Sequence, residues 1–300
     1  MGPLLSFSEY VQSAGREVWT LALLGLKDAI RMDLCLIFLF KSPTIRVRWL
    51  QCLILNGVIF LGSVAVFRLV VNPLLMVVVG WISGYEEESM QKWTEALYFL
   101  HLFTWIVPVY SLSYLLNIAW HQDIANETFA IFSPSDPRVK TTLTSRIVDA
   151  LMRNLLNIIF ALQTWLLSFV PYIGTFLNLV SMCLLISTYS FEYRWVYLGW
   201  ESHVRLRFIE RHWAYFVGFG LPSTVLCSVF PRFIDNGIFS MLFPICIMTA
   251  VAARPRGMTT LGKIPIFVLV EGVTGFLIRT MDEKKLKRFR PRAKPRLKET

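Results

Sequence analysis

Arg146, Asp149 and Arg153 are spaced so that on a helix they share one face with Asn157. Two guanidiniums flanking a carboxylate are suited to the mouth of an anion path. The same stripe also suits an amphipathic helix entering a membrane interface, with Asp149 paired to Arg153. A second charged pair stands in SFEYRW. Glu192 and Arg194 follow residues 155–191, which carry no charge. Two apart on a helix, they do not face each other, so each needs its own partner. Arg146, Arg153, Asp123 and Glu210 on neighbouring elements are examples of what could serve. Glu201 and Arg205 are four apart, in the favourable orientation for a local pair. An ionisable group inside so apolar a stretch is placed there for a reason, whether to pin helices or to hold an anion.

Other chemistry is not visible. His101, His121, His203 and His212 show no metal-ligand spacing, and the pairing of Asp123 with His121 is too little to act as a catalytic set. The five cysteines are odd in number and form no C-x-x-C, which argues against a disulfide framework or a zinc site. The expectation is a protein that is not an enzyme and carries no cofactor or metal.

The elements that must position these residues are membrane helices. The 300 residues are 55% hydrophobic, with a mean hydropathy of +0.54 and only 17% charged, against about a quarter in soluble domains. The apolar residues come in long blocks, so the chain reads as an all-α integral membrane protein. Residues 1–48 carry too much charge to span and suit helices at the interface. Two long spans follow, at 49–72 and 93–120, with Arg68 snorkelling at the far interface of the first. Residues 150–200 and 214–253 form two helical hairpins, re-entrant or spanning, split by PYIG and PRFIDNG. Residues 264–278 are interfacial, as is WESHVRLRFIERHW (200–213), whose stripe of Leu206, Ile209 and Trp213 would rest on headgroups.

The net charge of +10 is concentrated at the end of the chain: residues 279–300 carry +7. The tail, 281–300, is expected to be disordered and to attract anionic lipid headgroups. Nucleic-acid binding is not expected of a membrane-embedded chain. The basic loops fall on one side if both hairpins return to the side they left. The positive-inside rule then makes both termini cytosolic and leaves the sequon at Asn126 unmodified.

FEYRW, GWESHVRLRFIERHW and YFVGFGLP (215–222), with NIAWHQDIAN at 117–126, resemble the signature stretches of the etoposide-induced protein 2.4 family. That family is distantly similar to the bacterial CysZ sulfate permeases, which have two long spans and two hairpins. The resemblance implies an endoplasmic reticulum membrane protein associated with autophagy, growth suppression and apoptosis, with protein partners. Its motif polar residues here are Asp123, Glu192, Arg194, Glu210 and Arg211. The basic cluster lies at the C-terminus rather than near the N-terminus as in animal members, which sets aside any role tied to an N-terminal cluster. Arg296 and Lys298 resemble a retrieval signal for the endoplasmic reticulum. A transporter or channel for a small anion such as sulfate is the alternative function.

Overall fold

The computed structural model describes residues 7–84, 87–134, 158–167, 169–200, 202–230, 232–257 and 262–267. Among these residues the chain is helical, with no strand. Helices α1 (Phe7–Ala29) and α2 (Met32–Lys41) precede two long ones, α3 (Pro43–Ile82) and α4 (Met90–Phe132). Then come α5 (Ile158–Leu167), α6 (Gly174–Tyr197), α7 (Ser202–Arg211), α8 (Trp213–Ser228) and α9 (Arg232–Ala252). Four of the described helices, α3, α4, α6 and α9, are long and apolar enough to cross a membrane. This is the fold class that the sequence implies.

The helix ends follow local chemistry. Ser42 caps α3 by accepting from the Ile45 N–H (3.3 Å), and Pro43 occupies the first turn, where its missing N–H costs nothing. The helix therefore begins before Trp49. Gly84 ends it in the left-handed conformation (φ 67°). Residues 232–237 of PRFIDNG are not the loop that its turn-forming residues suggest. The structure folds Arg232 to Gly237 into the start of α9, with Asp235 in the first turn, where the helix dipole favours a carboxylate. The second arm of that hairpin is thereby 21 residues long instead of 16.

Three short stretches of wider π-helix interrupt α3 and α4: Ile54–Leu61, Phe67–Val71 and Leu102–Ile106. Two of them have a direct cause. Pro73 and Pro108 cannot donate to the carbonyls of Leu69 and Thr104, and their rings push those carbonyls aside. Each carbonyl lies inside the π-turn that precedes its proline.

The chain divides into two compact units. One comprises residues 38–127 and 227–244 and is built on α3 and α4. Phe60, Val64 and Ile106 form its small buried cluster. Asn56 and Asn117 exchange two side-chain hydrogen bonds, each 3.1 Å, between the long helices. The other comprises residues 1–37, 128–226 and 245–300, and its core is aromatic. Phe191 sits at its centre, against the rings of Trp195, Tyr215, Phe216 and Phe219.

Candidate functional site

The signature stretches from FEYRW to YFVGFGLP lie mainly on α6, α7 and α8 of the aromatic unit, and glycine allows those helices to meet. A Cβ on Gly218 would stand 1.9 Å from the Ala22 carbonyl oxygen of α1, and one on Gly220 would stand 1.9 Å from the Cys183 carbonyl oxygen of α6. Gly25 of α1 completes the first crossing, 2.0 Å from the Tyr215 oxygen by the same measure. The two glycines of YFVGFGLP thus admit one helix backbone on each side of α8.

This close packing buries charge, and each charge is met. Glu192, on the second arm of the first hairpin, is 6% exposed and pairs with Arg205 of α7 at 2.9 Å. The Arg205 Nε–H also donates to the Trp200 carbonyl (2.8 Å). Arg194 points to another element, where its guanidinium donates to the carbonyls of Ala250 (3.3 Å) and Ala253 at the end of α9. Carbonyls there lack helical partners, and a cation suits the negative end of the dipole. Glu210, 3% exposed, accepts from the Phe267 N–H (3.1 Å), and the Phe267 ring packs on Phe160. The Tyr215 hydroxyl donates to Asp28 (2.6 Å). Gln163, one of the few polar groups on the first hairpin arm, donates to the Ile266 carbonyl (2.6 Å).

These contacts add to the sequence reading and revise it at one place, the apolar stripe of α7. Among the described residues Glu192 pairs with Arg205, and no local spacing links residues 192 and 205; Arg146 and Arg153 lie outside the described residues. Arg205 reaches α6, while Glu201, its expected local partner, lies outside the described residues. Leu206 and Ile209, expected to rest on headgroups, are 8% and 0% exposed and belong to the aromatic core. Arg211 is exposed at the end of α7.

Asp123 belongs to the other unit. It pairs with Arg48 at 2.9 Å, both partly exposed, and ties the start of α3 to the end of α4. Asn126 lies within α4 and accepts from Gln122 (3.2 Å). Arg146, Asp149, Arg153, Arg296 and Lys298 lie outside the described residues. All five cysteines are buried thiols outside any disulfide. Burial pushes the Cys35 thiol up to about 12, which suits a packing residue and not a nucleophile. Among the described residues no group of three or more His, Cys, Asp or Glu is placed to hold a metal ion.

Comparison with known proteins shows the family. Residues 32–230 match the family model described as "Sulfate transporter CysZ/Etoposide-induced protein 2.4". The chain belongs to this family. "Protein EI24 homolog" of Dictyostelium discoideum is 31% identical over 271 residues, covering 88% of this chain and 85% of that protein. The protein of the same name from Arabidopsis thaliana is 27% identical over 306 aligned residues, covering 87% and 94%. "Ectopic P granules protein 4" of Caenorhabditis elegans is 30% identical over 152 residues, about half of each chain. No solved structure matches the chain. The family resemblance drawn from FEYRW and its neighbours therefore holds, and the chain is a multi-pass membrane protein of the CysZ/etoposide-induced family. The family match contains the Glu192–Arg205 pair, Arg194 and Glu210.

Proposed function

We propose that the protein is a non-enzymatic membrane factor of the endoplasmic reticulum. It acts in autophagy and in membrane and growth homeostasis, through contacts with proteins and lipids. Both termini face the cytosol, and the basic tail rests on anionic headgroups. The observation that supports this reading is where the motif polar groups are used. Glu192, Arg194 and Glu210 are engaged by neighbouring helices and backbone, so they hold the fold together and are not presented to a substrate.

The test is complementation in cells lacking their own family member. The wild-type chain is expected to restore autophagic flux from the endoplasmic reticulum membrane, and a chain cut at residue 280 to restore it only in part. In parallel, the purified protein in proteoliposomes is assayed for sulfate uptake. Uptake that disappears in Arg153→Ala, with the variant folded, would replace this reading with anion transport. A glycan on Asn126 in cells would reverse the topology.

A further inference from the structure

The two π-turns that precede Pro73 and Pro108 flank a cavity of about 180 Å³ between α3 and α4. Arg68, Asn72, Thr94, Tyr98 and His101 line it. No carboxylate does, and Arg68 has no ion-pair or hydrogen-bond partner among the described residues. Phe67 stacks on His101 with centroids 3.5 Å apart and planes 1° apart, which fixes the imidazole at the wall. Its Nε2 is buried and has no hydrogen-bond partner. A lone guanidinium, an orphaned imidazole nitrogen, a phenol and an amide therefore converge on one space.

Depth decides what fills it. Arg68 follows Arg48 by twenty residues of one continuous helix, about 30 Å at 1.5 Å per residue, which is the thickness of the hydrocarbon layer. With Arg48 at one headgroup layer, Arg68 stands at the other. A placement that drew the apolar end of α3 beyond Arg68 into the bilayer would put an unneutralised charge in hydrocarbon. An anionic group in the cavity meets the need of Arg68 in either placement. The cavity is smaller than the roughly 300–1,000 Å³ of sites for drug-sized ligands, so it holds a small group and not a whole lipid. Next to it, Val66, Leu69 and Phe103 are exposed apolar side chains, 56%, 77% and 66% exposed. They offer a track for acyl chains.

We propose that this cavity binds the phosphodiester group of a membrane phospholipid. The phosphate sits on the Arg68 guanidinium and accepts from Tyr98, Asn72 or the His101 imidazole, while the acyl chains lie along the outer faces of α3 and α4.

The test is native mass spectrometry of the whole protein released from bilayers that contain phosphatidylinositol, phosphatidylcholine and diacylglycerol. Phospholipid is expected to stay bound, and diacylglycerol, which lacks the phosphate, is not. Arg68→Ala is expected to lower phospholipid retention about tenfold, and Arg68→Lys to keep most of it, which separates lost charge from lost fold. Inorganic phosphate at millimolar concentration is expected not to displace the lipid. Equal retention in Arg68→Ala, or retention of diacylglycerol, would overturn the site. Displacement by inorganic phosphate would overturn the lipid as its occupant and make it a free-oxyanion site.

Discussion

The two units treat polarity in opposite ways. In the aromatic unit, 56% of the apolar window of α6 is buried within the protein, and the buried carboxylates of Glu192 and Glu210 have defined partners. In the long-helix unit only 22% of the α3 window and 11% of the α4 window are buried, and Leu69, Leu74, Trp81 and Phe103 are open. The first is held together by protein contacts; the second has little protein around it and relies on its surroundings to cover it. Lipid tails are as apolar as leucine, so two helices in a bilayer gain little by hiding such side chains from one another. What binds α3 to α4 is specific: an amide pair, an ion pair and a small cluster of close packing.

Breaking the tightest packing of the aromatic unit carries the largest expected effect. Gly220→Leu forces a side chain against the Cys183 backbone, which cannot move aside as a side chain can. The expected loss is about 3 kcal/mol or more, read as a fall in melting temperature in detergent and in yield of folded protein. Gly15→Leu, where a Cβ meets nothing within 4 Å, is the matched control and should fold normally. If both variants melt alike, the helix crossing is not as described.

Next comes the buried pair. Glu192→Gln keeps the shape and removes the charge opposite Arg205, at an expected cost of about 2 kcal/mol. Arg205→Met alone should cost at least as much, and the double variant less than the sum of the two. Additive losses would mean that the pair does not couple. Were Arg194 or Arg205 instead holding an anion, Glu192→Gln would leave stability intact and alter ion binding.

The contrast between the units marks what the sequence could reveal. Span lengths and charge blocks are local, so the long helices α3 and α4 and the turn at PYIG were legible. The contacts of Glu192 with Arg205 and of Arg194 with the end of α9 were not. Both contacts cross many residues of chain, and the spacing of Glu201 with Arg205 gives no hint that Arg205 reaches α6. PRFIDNG misled because Asp and Asn serve turns and the first turn of a helix alike. The Leu206 and Ile209 stripe was visible, but an apolar stripe does not say whether lipid or protein covers it. The cavity at Arg68 had a readable clue: a charge and a proline interrupting one apolar run, with a second proline in the next. Neither announces a π-turn without the partner helix.

In the long-helix unit a smaller effect is expected from the amide pair. Asn117→Leu removes two hydrogen bonds and leaves Asn56 buried against an apolar group. Interhelical hydrogen bonds in membranes average well under 2 kcal/mol, so the loss should be about 1 kcal/mol. Asn56→Leu in the same chain should recover part of it, because no amide then remains unmet. A double variant less stable than either single one would show that the amides act separately.

The smallest effect sharpens the comparison at the entrance to α8. His212 lies between α7 and α8, where its Nδ1 meets the Phe208 carbonyl (2.9 Å). Burial, with a lesser contribution from Arg211, lowers its pKa below the ordinary histidine value, while the Phe208 carbonyl partly offsets the shift. The folded state therefore prefers the neutral ring. Its contribution is complete above the ordinary value near pH 6.5 and is lost as the pH falls through the lowered one. Part of the ring is exposed, so the expected change is of order 1 °C in melting temperature between pH 7.5 and 5. His212→Gln should remove that component and leave the rest of the pH profile unchanged. A profile that is the same in both proteins would show that the His212 ring does not carry the acid sensitivity of this unit.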